Sequence, residues 1–87
     1  MSETEKADLT CLIADDDEID RLTVTAHLRN FPFIRITATC DNAHQANEFL
    51  LSNPVDVLFL DIDMPGLNGI GLRSRFMDIH ACVFITA

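Results

Sequence analysis

Two apolar runs in this 87-residue sequence stop abruptly at carboxylates. Leu9 to Ala14 ends at Asp15-Asp16, and Val55 to Leu60 ends at Asp61, with Asp63 two places on. Short runs rich in branched residues suit strands buried on both faces. In an open parallel sheet, the carboxyl ends of such strands form the binding edge, at the point where strand order reverses. Two neighbouring strands of this kind would bring three or four carboxylates together. Like charges that close repel and raise one another's pKa unless a cation intervenes. Magnesium suits the place, because it takes oxygen ligands, keeps several waters and is commonly held by one or two carboxylates plus a phosphate oxygen. A third run, Cys82 to Ile85, ends at Thr86, whose hydroxyl would reach the same crevice and bond a phosphoryl oxygen.

The elements that must position these groups follow from pattern. Asp15 to Glu18 opens a helical pattern with Ile19, Leu22 and Ala26 at helix spacing, and acids in a first turn favour a helix N-terminus through its dipole. The pattern fades at Asn30-Phe31-Pro32, since helices end before proline. Ile34 to Cys40 alternates apolar and polar residues with period two, as in an edge strand with one buried face. Asp41 or Asn42 can cap the next helix, Ala43 to about Leu51, which presents Ala43, Ala46, Phe49 and Leu50 to a core. Met64-Pro65-Gly66-Leu67-Asn68-Gly69 is a turn signal. Ile70 to about Met77 is predicted helical, with Leu72 and Phe76 inward. Strand and helix alternate from Leu9 to Thr86, which predicts a parallel sheet wrapped by helices.

Fourteen acids against six bases give a net charge of −8, which argues against binding of nucleic acid or anionic membrane by this chain itself, since both need a basic patch. Cys11, Cys40 and Cys82 match no zinc or redox spacing. They read as buried small hydrophobes, and the lack of a disulfide framework favours a reducing compartment. Residues 1–8 read as a polar leader without a secretory signal, and no apolar run approaches the ~20 residues of a membrane span. A cytoplasmic location is expected. His27, His44 and His80 share no ligand spacing and are expected at the surface.

Three blocks together, Leu12-Ile13-Ala14-Asp15-Asp16-Asp17-Glu18, Val57 to Gly69 and Phe84-Ile85-Thr86-Ala87, resemble the receiver (CheY-like) domain of two-component response regulators. The short step from Asp61 to Thr86 looks most like receivers that carry LytTR-type DNA-binding output domains. The resemblance implies a flavodoxin-like (βα)5 fold with strand order 2-1-3-4-5. It implies that Asp61 accepts a phosphoryl group from the phosphohistidine of a histidine kinase or phosphotransfer protein, acting as a signalling switch and not as a turnover enzyme. Asp15, Asp16, Asp61 and the backbone carbonyl of Asp63 would hold Mg²⁺ or Mn²⁺, and Thr86 would contact the phosphoryl group and report its presence.

Measured against that family, residues 9–87 read as a partial receiver domain, truncated after the fourth strand, without the fourth helix, fifth strand and fifth helix. The family's lysine after the fifth strand has no counterpart, because the single lysine, Lys6, precedes the first strand. Weak phosphorylation is expected as a result. The fourth strand would be an exposed apolar edge, so self-association through it is expected. Asp63 adds negative charge beside the phosphoryl site. Two other readings stay open. Asp61-Ile62-Asp63 also resembles the first motif of haloacid-dehalogenase-type phosphatases, and the fold could serve as an interaction module independent of phosphorylation.

Overall fold

The computed structural model describes residues 8–85, so Lys6, Thr86 and all but the last residue of the leader lie outside the described residues. Seven elements alternate along the chain: β1 (Leu9–Ala14), α1 (Glu18–Leu28), β2 (Ile34–Cys40), α2 (Ala43–Ser52), β3 (Val57–Asp61), α3 (Gly69–Arg75) and β4 (Ala81–Ile85). The strands form one parallel sheet in the order β2-β1-β3-β4. This is the doubly wound α/β arrangement expected, with its first four strands in the 2-1-3-4 order. From β1 the chain moves outward to β2, then crosses back to β3 on the other side. The carboxyl ends of β1 and β3 therefore flank the switch point.

Local sequence explains each element. The last four residues of β1 are fully buried, as a central strand with both faces covered requires. β2 alternates half-buried Ile34, Ile36 and Ala38 with exposed Arg35, Thr37 and Thr39, the pattern of an edge. Each helix opens on an Asx side chain that accepts backbone N–H groups its first turn leaves free. Asp17 accepts from Ile19 and Asp20, Asn42 from Gln45, and Asn68 from Gly71. Such caps stabilise a helix by ~1 kcal/mol each.

The core is divided by the sheet. The larger cluster lies under α2 and α3 and contains Leu12, Leu50, Leu58, Leu60, Met64 and Leu72. α2 turns Ala43, Ala46 and Leu50 inward with Phe49 half-buried, as expected. α3 is shorter than expected: it stops at Arg75, and Phe76 packs on the core from just past the helix end. The smaller cluster, on the α1 face, consists of Cys11, Ile13 and Leu28, with Val24, Ile36 and Phe59 among the residues packed against it.

α1 departs from the periodicity. Ile19 is 73% exposed, Leu22 60%, and Ala26 also faces solvent. Val24 and Leu28, one turn apart, make the contact with the sheet. The Asp17 cap and a bond from Arg21 back to the Asp15 carbonyl tie the start of this helix to the end of β1. Cys11, Cys40 and Cys82 are free thiols, the first two buried. His27, His44 and His80 are exposed. Among the described residues no helix is long and apolar enough to cross a membrane.

Candidate functional site

Ala14 of β1 is registered against Leu60 of β3, so Asp15 and Asp61 follow a matched pair and emerge together at the sheet's carboxyl edge. One carboxylate oxygen from each of Asp15, Asp16 and Asp61 lies within 4.8 Å of the other two. Three of the five residues singled out from the sequence are thus brought together. Asp15 is 1% exposed. Its Oδ1 accepts the Asp17 N–H at 2.9 Å, while Oδ2, also buried, has no hydrogen-bond partner among the described residues. Asp16 is exposed and Asp61 half-buried.

Asp63 enters the site through its amide, which donates to Asp61 Oδ1 at 3.0 Å. Its side chain is exposed on the rim. Thr86 lies outside the described residues, but Ile85, immediately before it, lines the same cleft. That cleft has a volume of about 340 Å³ and is bordered by Asp16, Asp17, Asp20, Asp61, Asp63 and Ile85 among others.

The loop after Asp61 is shaped by glycines. Gly66 has φ of +75°, a left-handed conformation that side chains rarely adopt. Gly69 opens α3 so close to β3 that a Cβ there would collide with the Asp61 carbonyl oxygen. The N–H of Ile62 donates to Ile85 O at 3.5 Å, tying this loop to the end of β4.

Electrostatics follow from the crowding. Burial pushes the Asp61 carboxyl up to about 6, and the charges of Asp15 and Asp16 add to the rise, against the lowering effect of the Asp63 N–H. Asp20 is raised too, by desolvation and then by Asp17, Asp15 and Asp16. A buried carboxylate oxygen without a partner is costly unless something satisfies it. The donor set is all oxygen, and one of its members, Asp15, carries the orphaned Oδ2. Both facts fit a hard divalent cation.

One group escaped the sequence reading. Arg21 Nη1 donates to the backbone carbonyl of Asp15 at 2.7 Å. On the other side of the same residue, the Asp15 N–H donates to Cys40 O at 3.1 Å. The only sequence signal was a cation placed soon after the acids, in the helix they open.

The sequence from residue 11 to 87 matches the model of the response regulator receiver domain. A protein-glutamate methylesterase/protein-glutamine glutaminase of Gluconobacter oxydans is 32% identical over 72 residues, which cover 83% of this chain and 20% of that protein. The two-component response regulator-like PRR37 of Oryza sativa subsp. indica is 34% identical over 80 residues, 90% of this chain and 10% of that protein. The chain thus spans a fifth or less of these two relatives. The signal receiver domain of the response regulator NarL from Mycobacterium tuberculosis superposes with a TM-score of 0.81 at 23% identity, covering 92% of this chain and 67% of that one, which establishes the common fold. With the acid cluster at the switch point and a family match over nearly the whole length, this chain belongs to the response regulator receiver domain family.

Proposed function

We propose that this chain is a phosphorylation switch in which Asp61 accepts a phosphoryl group from the phosphohistidine of a histidine kinase or phosphotransfer protein. The observation that carries the reading is the convergence of carboxylate oxygens from Asp15, Asp16 and Asp61, with Asp15 Oδ2 buried and without a partner among the described residues. Asp15, Asp16, Asp61 and the backbone carbonyl of Asp63 would hold Mg²⁺ or Mn²⁺. When bound, the metal supplies positive charge against the carboxylates and the transferring phosphoryl group.

The chain's own residues divide the remaining work. The Asp63 N–H donates to Asp61 Oδ1 and orients the carboxylate, one oxygen of which attacks phosphorus. The bond from phosphorus to the histidine nitrogen breaks, and that nitrogen leaves with the electron pair. The product is an acyl phosphate on Asp61, a labile covalent state suited to switching. The Thr86 hydroxyl would bond a phosphoryl oxygen. Asp63 places a further carboxylate at the rim, where it would influence the water that hydrolyses the acyl phosphate.

In this reading the chain is a phosphoacceptor and not a turnover enzyme, and nothing of the methylesterase activity of its relatives is carried over. Residues 9–87 form the receiver portion behind a short polar leader. The three free thiols suit a reducing, cytoplasmic setting. The outer strand β4 carries Val83 and Phe84, 47% and 38% exposed, and is the surface for self-association.

Incubation with acetyl phosphate and Mg²⁺, followed by intact-protein mass spectrometry, tests the assignment. Slow labelling by one phosphoryl group is expected, lost in Asp61→Asn and kept in Asp63→Asn. Equal labelling of both variants would overturn it. Steady turnover of small phosphate esters would favour the phosphatase reading of Asp61 and Asp63.

A further inference from the structure

We propose that Arg21 is a positioning residue for the acidic site, holding the Asp15-Asp16 turn in the geometry that a divalent cation requires; this rests on the metal assignment above. Asp15 is fixed at both ends of its backbone. Its N–H is bound to Cys40 O of β2 at 3.1 Å, and its carbonyl receives Arg21 Nη1 at 2.7 Å. Its side chain is fixed at Oδ1 by the Asp17 N–H. Every polar atom of Asp15 is therefore held except Oδ2, the buried oxygen with no partner among the described residues. One carboxylate oxygen of Asp15 lies within 4.8 Å of one from each of Asp16 and Asp61.

Of those constraints, Arg21 alone is a long charged side chain reaching back from a helix. Asp17 and Cys40 act through backbone groups that the fold supplies whatever their side chains. The guanidinium bonds the peptide carbonyl between Asp15 and Asp16, so it orients the plane from which the Asp16 carboxylate departs. It also brings a positive charge to the acid turn without bonding any of the three carboxylates. Burial and then the Asp41 charge raise the Cys40 thiol, and the Arg21 charge opposes them. Groups that orient metal ligands without touching the metal are worth ~10–100-fold in affinity.

The test is Mn²⁺ binding to the 87-residue chain by electron paramagnetic resonance, with thermal melts of the metal-free protein alongside. Arg21→Ala is expected to weaken binding by about tenfold or more while the metal-free melting temperature moves little. Arg21→Lys keeps a cationic donor long enough to reach the carbonyl and should recover most of the affinity. Arg21→Gln, neutral and shorter, should not. If Arg21→Ala fails to fold, the Lys and Gln variants decide: equal affinity in those two overturns the role. Wild-type binding with unchanged affinity in Arg21→Ala overturns Arg21 alone. A wild-type chain that binds no Mn²⁺ overturns the metal assignment, and this role with it.

Discussion

Asp15 and Asp61 stand side by side because each follows one member of a registered pair, Ala14 and Leu60, on adjacent parallel strands. Strand pairing brings them together, and among the described residues neither carboxylate bonds the other's backbone. Two burial-driven strands therefore press together charges that would separate in water. The strain shows at Asp61, the half-buried partner.

The pH dependence of stability should report that strain. The Asp61 carboxyl rises from its ordinary 3.8 to about 6 on folding, so the folded chain binds this proton more tightly than the unfolded chain does. Stability from this group is fully present below pH 3.8, declines as pH rises toward about 6, and is level above that. Melting temperatures of metal-free protein across this window should fall with pH in wild type. They should fall less in Asp61→Asn, and superimposable slopes would refute the assignment. Above pH 7, added Mg²⁺ should raise the melting temperature of wild type more than that of Asp15→Asn.

Gly69 and Gly71 should respond in opposite ways to alanine. A Cβ on Gly69 meets the Asp61 carbonyl, which belongs to a central strand and cannot yield. Gly69→Ala should cost ~1–3 kcal/mol by urea denaturation and lower metal affinity as Asp61 shifts. A Cβ on Gly71 would meet Leu67 Cδ1 at 2.6 Å, the movable end of a side chain. The gain in helix propensity, ~1 kcal/mol, should leave Gly71→Ala close to wild type.

At the opposite edge of the sheet, Asp56 staples three strands. Its Oδ2 accepts Thr10 N–H at 2.8 Å and the Thr10 hydroxyl at 3.1 Å. Its own N–H reaches Thr10 O, and its carbonyl receives the Ala81 N–H. Asp56→Ala should destabilise by ~1–3 kcal/mol with Mn²⁺ affinity unchanged. A loss of affinity at constant stability would contradict this division between a structural and a binding edge.

β4 offers its outer backbone groups with no charge, proline or glycine from Ala81 to Ile85. Such edges recruit further strands. Light scattering should show a mass that grows with protein concentration in wild type and a monomer in Val83→Lys. A monodisperse wild-type monomer at high concentration would count against the edge as an interface.

How far the sequence carried these conclusions depended on the type of signal. Strands ending in acids were legible because burial on both faces leaves an uninterrupted apolar run, and a charge marks where the run meets solvent. The alternation from Ile34 to Cys40 likewise announced an edge. α1 was only half legible: periodicity found the helix but favoured Ile19, Leu22 and Ala26 over Val24 and Leu28. Hydrophobicity does not record rotation about a helix axis when two stripes are available, and the structure buries Leu28 and half-buries Val24. The role of Asp56 was invisible for a related reason, because an acid inside an apolar run looks like an interruption until its partner, Thr10, is seen across the sheet.

The division of the core has a consequence for motion. Among the described residues the buried cluster on the α1 face is Cys11, Ile13 and Leu28, against a much larger cluster beneath α2 and α3. α1 buries Leu28 where α2 buries Ala43, Ala46 and Leu50, so its amides should exchange with deuterium sooner than those of α2. The acid turn is tied to that helix at both Asp17 and Arg21. Each lifting of α1 would undo the clamp on Asp15, so a cation held there would slow exchange along a helix that it never touches.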